Sequence, residues 1–140
     1  MDNNINKKEK MLRYSIIAVL IANILTACIM YFNLPEQIPI QWNGIEVSKY
    51  ANKEFIFLLP VIAVFFYCRP IMSNFLFRLF GQVDNILINY ANLSIQLLML
   101  TCVIYTIAYC YGLRWRISYI LIIEFLVLIV GFLRLYVRKN

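Results

Sequence analysis

Glu124 is the residue whose type and position most strongly indicate chemistry, because it is an acid inside an apolar stretch at about 115–136. An ionised carboxylate is costly in hydrocarbon, so an acid near the middle of a membrane normally faces a partner and marks a functional position. Two hypotheses stay open for Glu124. It either holds helices together as a protonated or hydrogen-bonded group, or it carries protons or binds a ligand.

A second set of polar residues follows a helical spacing in the apolar stretch at about 86–111. Positions three and four residues apart share one face of a helix, and hydrogen bonds between such faces contribute roughly 0.6–2 kcal/mol each in a membrane. We expect Gln96, and Asn23 from an earlier stretch, to lie at a depth similar to that of Glu124 and to hydrogen bond with such groups. The residues of this face are Asn85, Asn89, Asn92 and Gln96.

The composition excludes most catalytic and metal-binding classes. The sequence has no histidine, which is the commonest general base and metal ligand. It also has no glycine-rich phosphate loop, no carboxylate pair and no serine near a base, so we expect a protein that is not an enzyme and needs no cofactor. Its 4 cysteines lack CxxC spacing and are predicted to be buried thiols, not zinc ligands or disulfides. They are Cys28, Cys68, Cys102 and Cys110.

Membrane helices must position these polar residues. The chain is 63% hydrophobic and 14% charged, whereas soluble domains are roughly 45–50% apolar and 25% charged. A soluble domain of this size cannot bury so much apolar surface. The sequence therefore predicts an all-α integral membrane protein, a single domain over 1–140. A nucleic-acid partner is not expected, because it would need basic residues clustered on one solvated face.

Apolar stretches of about 20 residues each cross the hydrocarbon core as helices, and this chain has about four of them. The second is the weakest prediction, because its uninterrupted part also suits a re-entrant segment. We expect a structured outer loop and a cytoplasmic elbow between the spans, and Phe75, Leu76, Leu79 and Phe80 of the elbow fit one short interfacial helix around Arg78. The predicted helices are about 14–32, 55–72, 86–111 and 115–136, with the loop at 33–54 and the elbow at 73–85.

The basic residues predict the orientation, because they concentrate in cytoplasmic loops. A path with four helices and both termini in the cytoplasm places most of the 13 lysines and arginines on that side. The opposite side receives Lys49, Lys53, Arg114 and Arg116. The cytoplasmic set is Lys7, Lys8, Lys10, Arg13, Arg69, Arg78, Arg134, Arg138 and Lys139.

The predicted outer loop is the most informative segment for binding. Pro35 and Pro39 restrict φ and bias the residues before them toward extended geometry. Asn43 and Gly44 favour a turn, and Trp42 has an amphipathic ring suited to the bilayer surface or to an apolar groove. The loop is either a rigid cap that anchors Trp42 in the headgroups or a recognition surface for an extracytoplasmic peptide or protein.

This loop resembles the membrane domain of unknown function at the N-terminus of SdpI-type bacteriocin immunity proteins, and the resemblance covers about residues 14–111. That family typically shows an LP-x-x-IP-x-HWN run followed by glycine, aspartate, tyrosine and lysine. The usual histidine is replaced here by Gln41, and the aspartate has no clean counterpart, so a metal or proton role of that histidine is not implied for this chain. The matching residues are Leu34-Pro35, Ile38-Pro39, Trp42-Asn43 and, after one deletion, Tyr50 and Lys53.

The resemblance implies a bacterial cytoplasmic membrane protein that gives immunity to a membrane-active peptide toxin by noncovalent recognition at the outer loop. Two alternatives stay open. The protein is an accessory or signalling subunit of a larger membrane complex such as a transporter, or it is a small transporter that acts through Glu124. Under the first hypothesis the site residues are Pro35, Pro39, Gln41, Trp42, Asn43, Tyr50 and Lys53.

The first apolar stretch has a second interpretation. A basic segment before an apolar run is also typical of a signal peptide, and the residues 25–28, Leu-Thr-Ala-Cys, resemble a lipobox whose Cys28 would be lipidated after cleavage. We expect a retained helix instead, because the apolar run continues past Cys28 to Phe32, where a lipoprotein usually becomes small and polar.

Overall fold

The computed structural model describes residues 2–68, 71–80 and 84–137. Three basic residues predicted to lie on the cytoplasmic side fall outside them, as do residues 81–83 of the elbow and the side chains of Phe75 and Phe80. Those three are Arg69, Arg138 and Lys139. The described elements are α1 (Asp2–Tyr31), β1 (Gln37–Asn43), β2 (Glu46–Asn52), a 3-10 helix (Lys53–Phe57), α2 (Leu58–Cys68), α3 (Ile71–Phe80), α4 (Asn85–Cys110) and α5 (Ile117–Val137).

Three helices in the described ranges are long and apolar enough to cross a membrane, namely α1 from Lys7 to Tyr31, α4 and α5. Helix α5 makes the need for lipid plain, because it is strongly apolar and yet none of its residues is buried within the protein. Apolar side chains in that position require a hydrocarbon solvent. The prediction of a mainly helical membrane protein in contact with the lipid bilayer is confirmed.

The expected helix at about 55–72 takes a different form. A 3-10 helix covers Lys53–Phe57, and α2 has 11 residues, about half the length that crosses a hydrocarbon core as an α-helix. Pro60 lies in the first turn of α2. A backbone N–H in the first turn has no carbonyl acceptor within the helix, so proline, which lacks the N–H, is tolerated there. The described residues of α2 end at Cys68.

The expected outer loop is largely a β-hairpin. Strands β1 and β2 pair antiparallel, with Ile38 opposite Ala51 and Asn43 opposite Glu46. Gly44 begins the two-residue turn with a φ of +70°, which is the conformation that tight hairpin turns require of a glycine. Pairing the two strands satisfies backbone groups that an irregular loop would leave to water. The sequence predicted the turn but not the strands on either side of it.

Helix α4 is the centre of the bundle and packs against α1, α2 and α5. Helices α1 and α4 run parallel, because their N-terminal parts line one cavity while Ala27 and Ile107, near their C-terminal ends, share one apolar cluster. The chain must therefore return between them. The segment 53–68 makes that return, since Tyr67 near its end lines the same cavity as Arg13 near the start of α1.

Candidate functional site

The residues that precede Pro35 and Pro39 in the motif anchor the hairpin to the bundle. Leu34 and Ile38 are 5% and 1% exposed, and they pack in a buried cluster with residues of α1, the 3-10 helix and α4. Burying side chains of this size contributes roughly 1.5–3 kcal/mol each. Pro39 is also buried, whereas Pro35 is exposed. The Leu-Pro and Ile-Pro pairs of the motif therefore hold the hairpin against the bundle.

Trp42 packs edge-on against two tyrosines of α4. Its ring centroid lies 5.2 Å from that of Tyr105 and 6.0 Å from that of Tyr109, and such pairs contribute about 0.5–1.5 kcal/mol beyond burial. Tyr109 Oη donates a hydrogen bond to the Ile45 carbonyl at 3.0 Å, and Tyr105 Oη donates to the Trp115 carbonyl. This aromatic cluster ties the hairpin turn and the segment before α5 to α4.

Tyr105 and Tyr109 are not among the site residues predicted from the sequence. Their spacing of four places both on one face of a helix, and this was the available signal. Nothing local indicated that this face meets Trp42, because the two segments are far apart in the chain. The indole N–H of Trp42 is buried and has no hydrogen-bond acceptor among the described residues.

An apolar cavity of about 290 Å³ lies between the hairpin, α2 and α4. Its volume is near the lower limit of the roughly 300–1,000 Å³ that small-ligand sites have, so it has room for one or two side chains of a larger partner. We call the cavity and the hairpin together the hairpin site. The wall includes Pro39 and Trp42 from β1, Leu58 and Leu59 from α2, and Cys102 and Thr106 from α4.

Lys53 closes the base of the hairpin. Its backbone N–H donates to the Glu36 carbonyl at 3.0 Å, and its ammonium donates to the Glu36 carboxylate at 2.9 Å. The ammonium also lies 5.3 Å from the centroid of the Tyr31 ring. The hydrogen bond to Glu36 raises the pKa of Lys53, and this outweighs the lowering by desolvation. Lys53 is thus a charged link between the two ends of the hairpin.

The other predicted site residues of the hairpin are displayed on its surface. Gln41, Asn43 and Tyr50 are exposed, and Tyr50 keeps 55% of its surface accessible. Gln41 lies opposite Lys49 in the register, next to an irregularity in the pairing. The hairpin site therefore has a buried part, formed by Pro39 and Trp42 at the cavity, and exposed polar residues elsewhere on the hairpin.

Among the polar residues predicted to lie inside the membrane, Gln96 and Glu124 have hydrogen-bond partners that differ from the expected ones. Gln96 is fully buried and donates to the Ala63 carbonyl of α2 at 2.8 Å. Asn23 is also fully buried, and neither atom of its carboxamide has a hydrogen-bond partner among the described residues. Glu124 accepts a hydrogen bond from the Thr101 hydroxyl at 3.1 Å. Thr101 was missed because a single threonine in an apolar helix gives no signal.

Asn89 and Asn92 lie near the opposite end of α4 from the hairpin. One carboxamide atom of each is buried without a partner among the described residues, namely Asn89 Nδ2 and Asn92 Oδ1. Both residues border a second cavity. The polar face of α4 therefore divides, with Gln96 bonded to α2 and the two asparagines placed beside open space.

The prediction of buried thiols is wrong for two of the four cysteines. Cys28 and Cys68 are exposed on their helices, whereas Cys102 and Cys110 are half-buried. Helix position explains the error, because an apolar stretch in lipid has an outward face that holds as many apolar residues as its inward face. Cys28 lies inside α1, which continues to Tyr31. In the described part of the chain, no group of three or more potential ligands is placed to hold a metal.

The two hypotheses for Glu124 lead to different mutational results. We expect Glu124→Gln to change the free energy of unfolding by less than about 1 kcal/mol, because the glutamine carbonyl can still accept from Thr101. Glu124→Leu should lower it by roughly 0.6–2 kcal/mol, the range for one interhelical hydrogen bond in a membrane. Unfolding in mixed micelles measures both values. Equal loss in the two variants would contradict this hydrogen-bonding interpretation, because the glutamine carbonyl would then not replace the carboxylate.

These features define a helical membrane protein whose β-hairpin covers an apolar cavity at one end of the bundle. A family model described as a domain of unknown function (DUF1648) matches residues 18–64, which include much of α1 and the whole hairpin. Immunity protein SdpI of Bacillus subtilis (strain 168) is 37% identical over 59 residues, which are 40% of this chain and 28% of that protein. The chain thus matches less than a third of the curated relative.

The N-terminal region therefore resembles the SdpI-type membrane domain, as the loop motif predicted. No solved structure matches the chain.

Proposed function

We propose that this protein is a non-enzymatic protein of the bacterial cytoplasmic membrane that protects its cell by binding a membrane-active peptide toxin at the hairpin site. The observation that carries the proposal is the apolar cavity under the hairpin, with Pro39 and Trp42 in its wall. The likeness to an immunity protein over part of the chain supports the class of function.

The chemistry of the hairpin site fits a peptide that is stable in membranes. Such a peptide carries bulky apolar side chains, and one or two of them fill a cavity of about 290 Å³. Gln41, Asn43 and Tyr50 are exposed on the same hairpin and can supply hydrogen bonds to polar groups of the bound peptide. Removal of free toxin from the bilayer is the whole mechanism, and no covalent step is needed.

The proposal places the hairpin on the outer side of the membrane and both termini in the cytoplasm. Helix α1 leads outward, the segment 53–68 returns, α4 leads outward again and α5 returns. A 3-10 helix rises about 2 Å per residue and an α-helix about 1.5 Å, so 53–68 spans roughly 26 Å. This length suits a fourth pass beside α4 in a slightly thinned bilayer.

Trp42→Ala tests the proposal. A tryptophan in the wall of a binding cavity typically contributes 2 kcal/mol or more to affinity, so we expect the toxin concentration that stops growth to fall at least about tenfold. Growth of a sensitive bacterium that expresses the variant, challenged with a panel of membrane-active bacteriocin peptides, provides the measurement. Trp115→Ala is the matched control, because Trp115 is 69% exposed and should keep full protection.

A second variant separates loss of binding from loss of folding. Cys102→Leu adds volume to the cavity wall without removing a packed side chain, so it should reduce protection while the amount of protein in the membrane stays unchanged. If Trp42→Ala and Cys102→Leu both leave protection intact, the hairpin site does not bind the toxin. Co-purification of a stoichiometric membrane partner in that case would support the accessory-subunit alternative.

A further inference from the structure

A second cavity of about 570 Å³ lies at the end of the bundle opposite the hairpin. Residues of three helices line it. Many of them are polar, whereas the wall of the hairpin site is apolar. We call this second cavity the basic cavity. Its polar lining consists of Lys10, Arg13 and Tyr14 from α1, Tyr67 from α2, and Asn89 and Asn92 from α4.

The basic cavity has a positive lining. Lys10 and Arg13 both border it, and no carboxylate of the described residues does. Glu9 pairs with Arg13 at 2.6 Å through one guanidinium nitrogen. A guanidinium has five N–H donors, so this ion pair leaves most of the hydrogen-bonding capacity of Arg13 available to a bound anion.

The neutral residues of the lining add hydrogen-bonding groups. Asn89 Nδ2 is buried and has no acceptor among the described residues, and leaving such a donor unpaired costs roughly 1–3 kcal/mol. Tyr14 and Tyr67 each carry a hydroxyl that can donate. Two cations together with several neutral donors form the kind of set that recognises the oxygens of a phosphate group.

The position of the basic cavity matches the headgroup level of a membrane. Arg13 and Tyr31 are 18 residues apart on α1, which at about 1.5 Å per residue separates them by roughly 27 Å along the helix. The hydrocarbon core is about 30 Å thick. With Tyr31 beneath the hairpin at one membrane surface, Arg13 therefore lies at the other. Tyr14 is 70% exposed, as is typical of tyrosines at the membrane interface.

We propose that the basic cavity binds the phosphate headgroup of an anionic phospholipid from the leaflet at that end of the bundle. The acyl chains of the lipid run along the apolar surface of α1, while the phosphate accepts hydrogen bonds from Lys10, Arg13 and Asn89. The bound lipid joins the start of α1 to the start of α4. This binding is independent of toxin recognition, which takes place at the other end of the bundle.

Native mass spectrometry of the purified protein tests the proposal with phosphatidylglycerol and phosphatidylcholine as the lipid probes. We expect one phosphatidylglycerol to be retained per chain in preference to phosphatidylcholine. A Lys10→Gln/Arg13→Gln variant should bind phosphatidylglycerol at least about tenfold more weakly, because each basic residue at an anionic surface contributes several-fold in affinity. Both residues are exposed on α1, so the variant is expected to fold, and circular dichroism checks this.

The matched control is Lys7→Gln/Lys8→Gln, which removes the same charge from exposed positions of α1 that do not border the basic cavity. It should change affinity by less than about threefold, because neither lysine borders the cavity and a fully solvated charge contributes little to a specific contact. Equal loss in the two double variants would show diffuse surface attraction and overturn the proposal. Displacement of the lipid by equimolar glycerol phosphate would also overturn it, because the site would then bind free phosphate esters.

Asn89→Leu supplies a test that leaves the charge unchanged. The substitution removes a carboxamide from the lining while keeping a side chain of similar size. If the basic cavity holds the headgroup, affinity for phosphatidylglycerol should fall at least about tenfold, the equivalent of one lost hydrogen bond to a charged group. Unchanged affinity in this variant together with unchanged affinity in Lys10→Gln/Arg13→Gln would rule the cavity out as the lipid site.

Discussion

Replacing Ile38 with alanine is expected to lower the free energy of unfolding by about 2–5 kcal/mol, the range for deleting a large aliphatic side chain from a packed core. Ile38 is 1% exposed and joins the hairpin to Ala27 of α1 and to Val103 and Ile107 of α4. Its loss leaves a cavity at the point where all these elements meet. Unfolding monitored by tyrosine and tryptophan fluorescence in mixed micelles measures the change.

Ile45→Ala is the matched control for this prediction. Ile45 is the same residue type in the same hairpin, but its side chain is 42% exposed, and its bond to Tyr109 uses the backbone carbonyl. We expect a change below about 1 kcal/mol, as for surface substitutions in general. Equal effects at the two positions would contradict the docking of the hairpin through Ile38. Because Ile38 also borders the cavity, Ile38→Ala should reduce toxin protection as well.

Gly131→Ala is expected to lower the free energy of unfolding by about 1–3 kcal/mol, the usual result of overpacking an interface. A Cβ atom at this position would lie 2.0 Å from Tyr90 Oη and 2.9 Å from Tyr90 Cζ. The tyrosine would have to leave, and with it the hydrogen bond that Tyr90 Oη donates to the Leu128 carbonyl at 3.3 Å. Unfolding in mixed micelles and the rate of proteolysis before α5 both measure the effect.

The reason for this large effect is that α5 is attached to the bundle mainly through α4. None of its residues is buried, and the close approach at Gly131 and the hydrogen bond to Glu124 are two of its contacts with α4. The double variant Gly131→Ala/Tyr90→Ala should recover part of the loss that Gly131→Ala causes, because the clash is gone. A loss in the double variant equal to the sum of the losses in Gly131→Ala and Tyr90→Ala would mean that the two residues do not pack against each other.

The sequence predicted the membrane helices because the required length and apolarity are local properties. The stretch around Glu124 contains enough consecutive apolar residues to cross a bilayer whatever it packs against. The turn of the hairpin was equally local, since Asn43 and Gly44 favour a turn in any surroundings. The strands were missed because β2 is largely polar and exposed, so it lacks the alternation that marks a half-buried strand.

The polar contacts inside the membrane were predictable in kind but not in detail. An acid at membrane depth requires a partner, and Glu124 has one in Thr101. Which residue it is depends on the rotation of α5 about its own axis, and a turn of one residue, about 100°, would point the carboxylate elsewhere. In the same way, the hydrogen bond from Gln96 to the Ala63 carbonyl depends on the rotation of α4 about its own axis.

The sequence by itself determined that this protein lies in a membrane, which segments are apolar enough to enter it, and that the loop around Trp42 is its most distinctive feature. Those properties follow from composition and short-range spacing. Only the tertiary structure decided that the loop is a hairpin, that Trp42 meets Tyr105 and Tyr109, and that two cavities of opposite character lie at the two ends. A cavity is a space between elements that are distant in the chain, and its volume depends on packing differences of a few ångströms, which residue types alone do not encode.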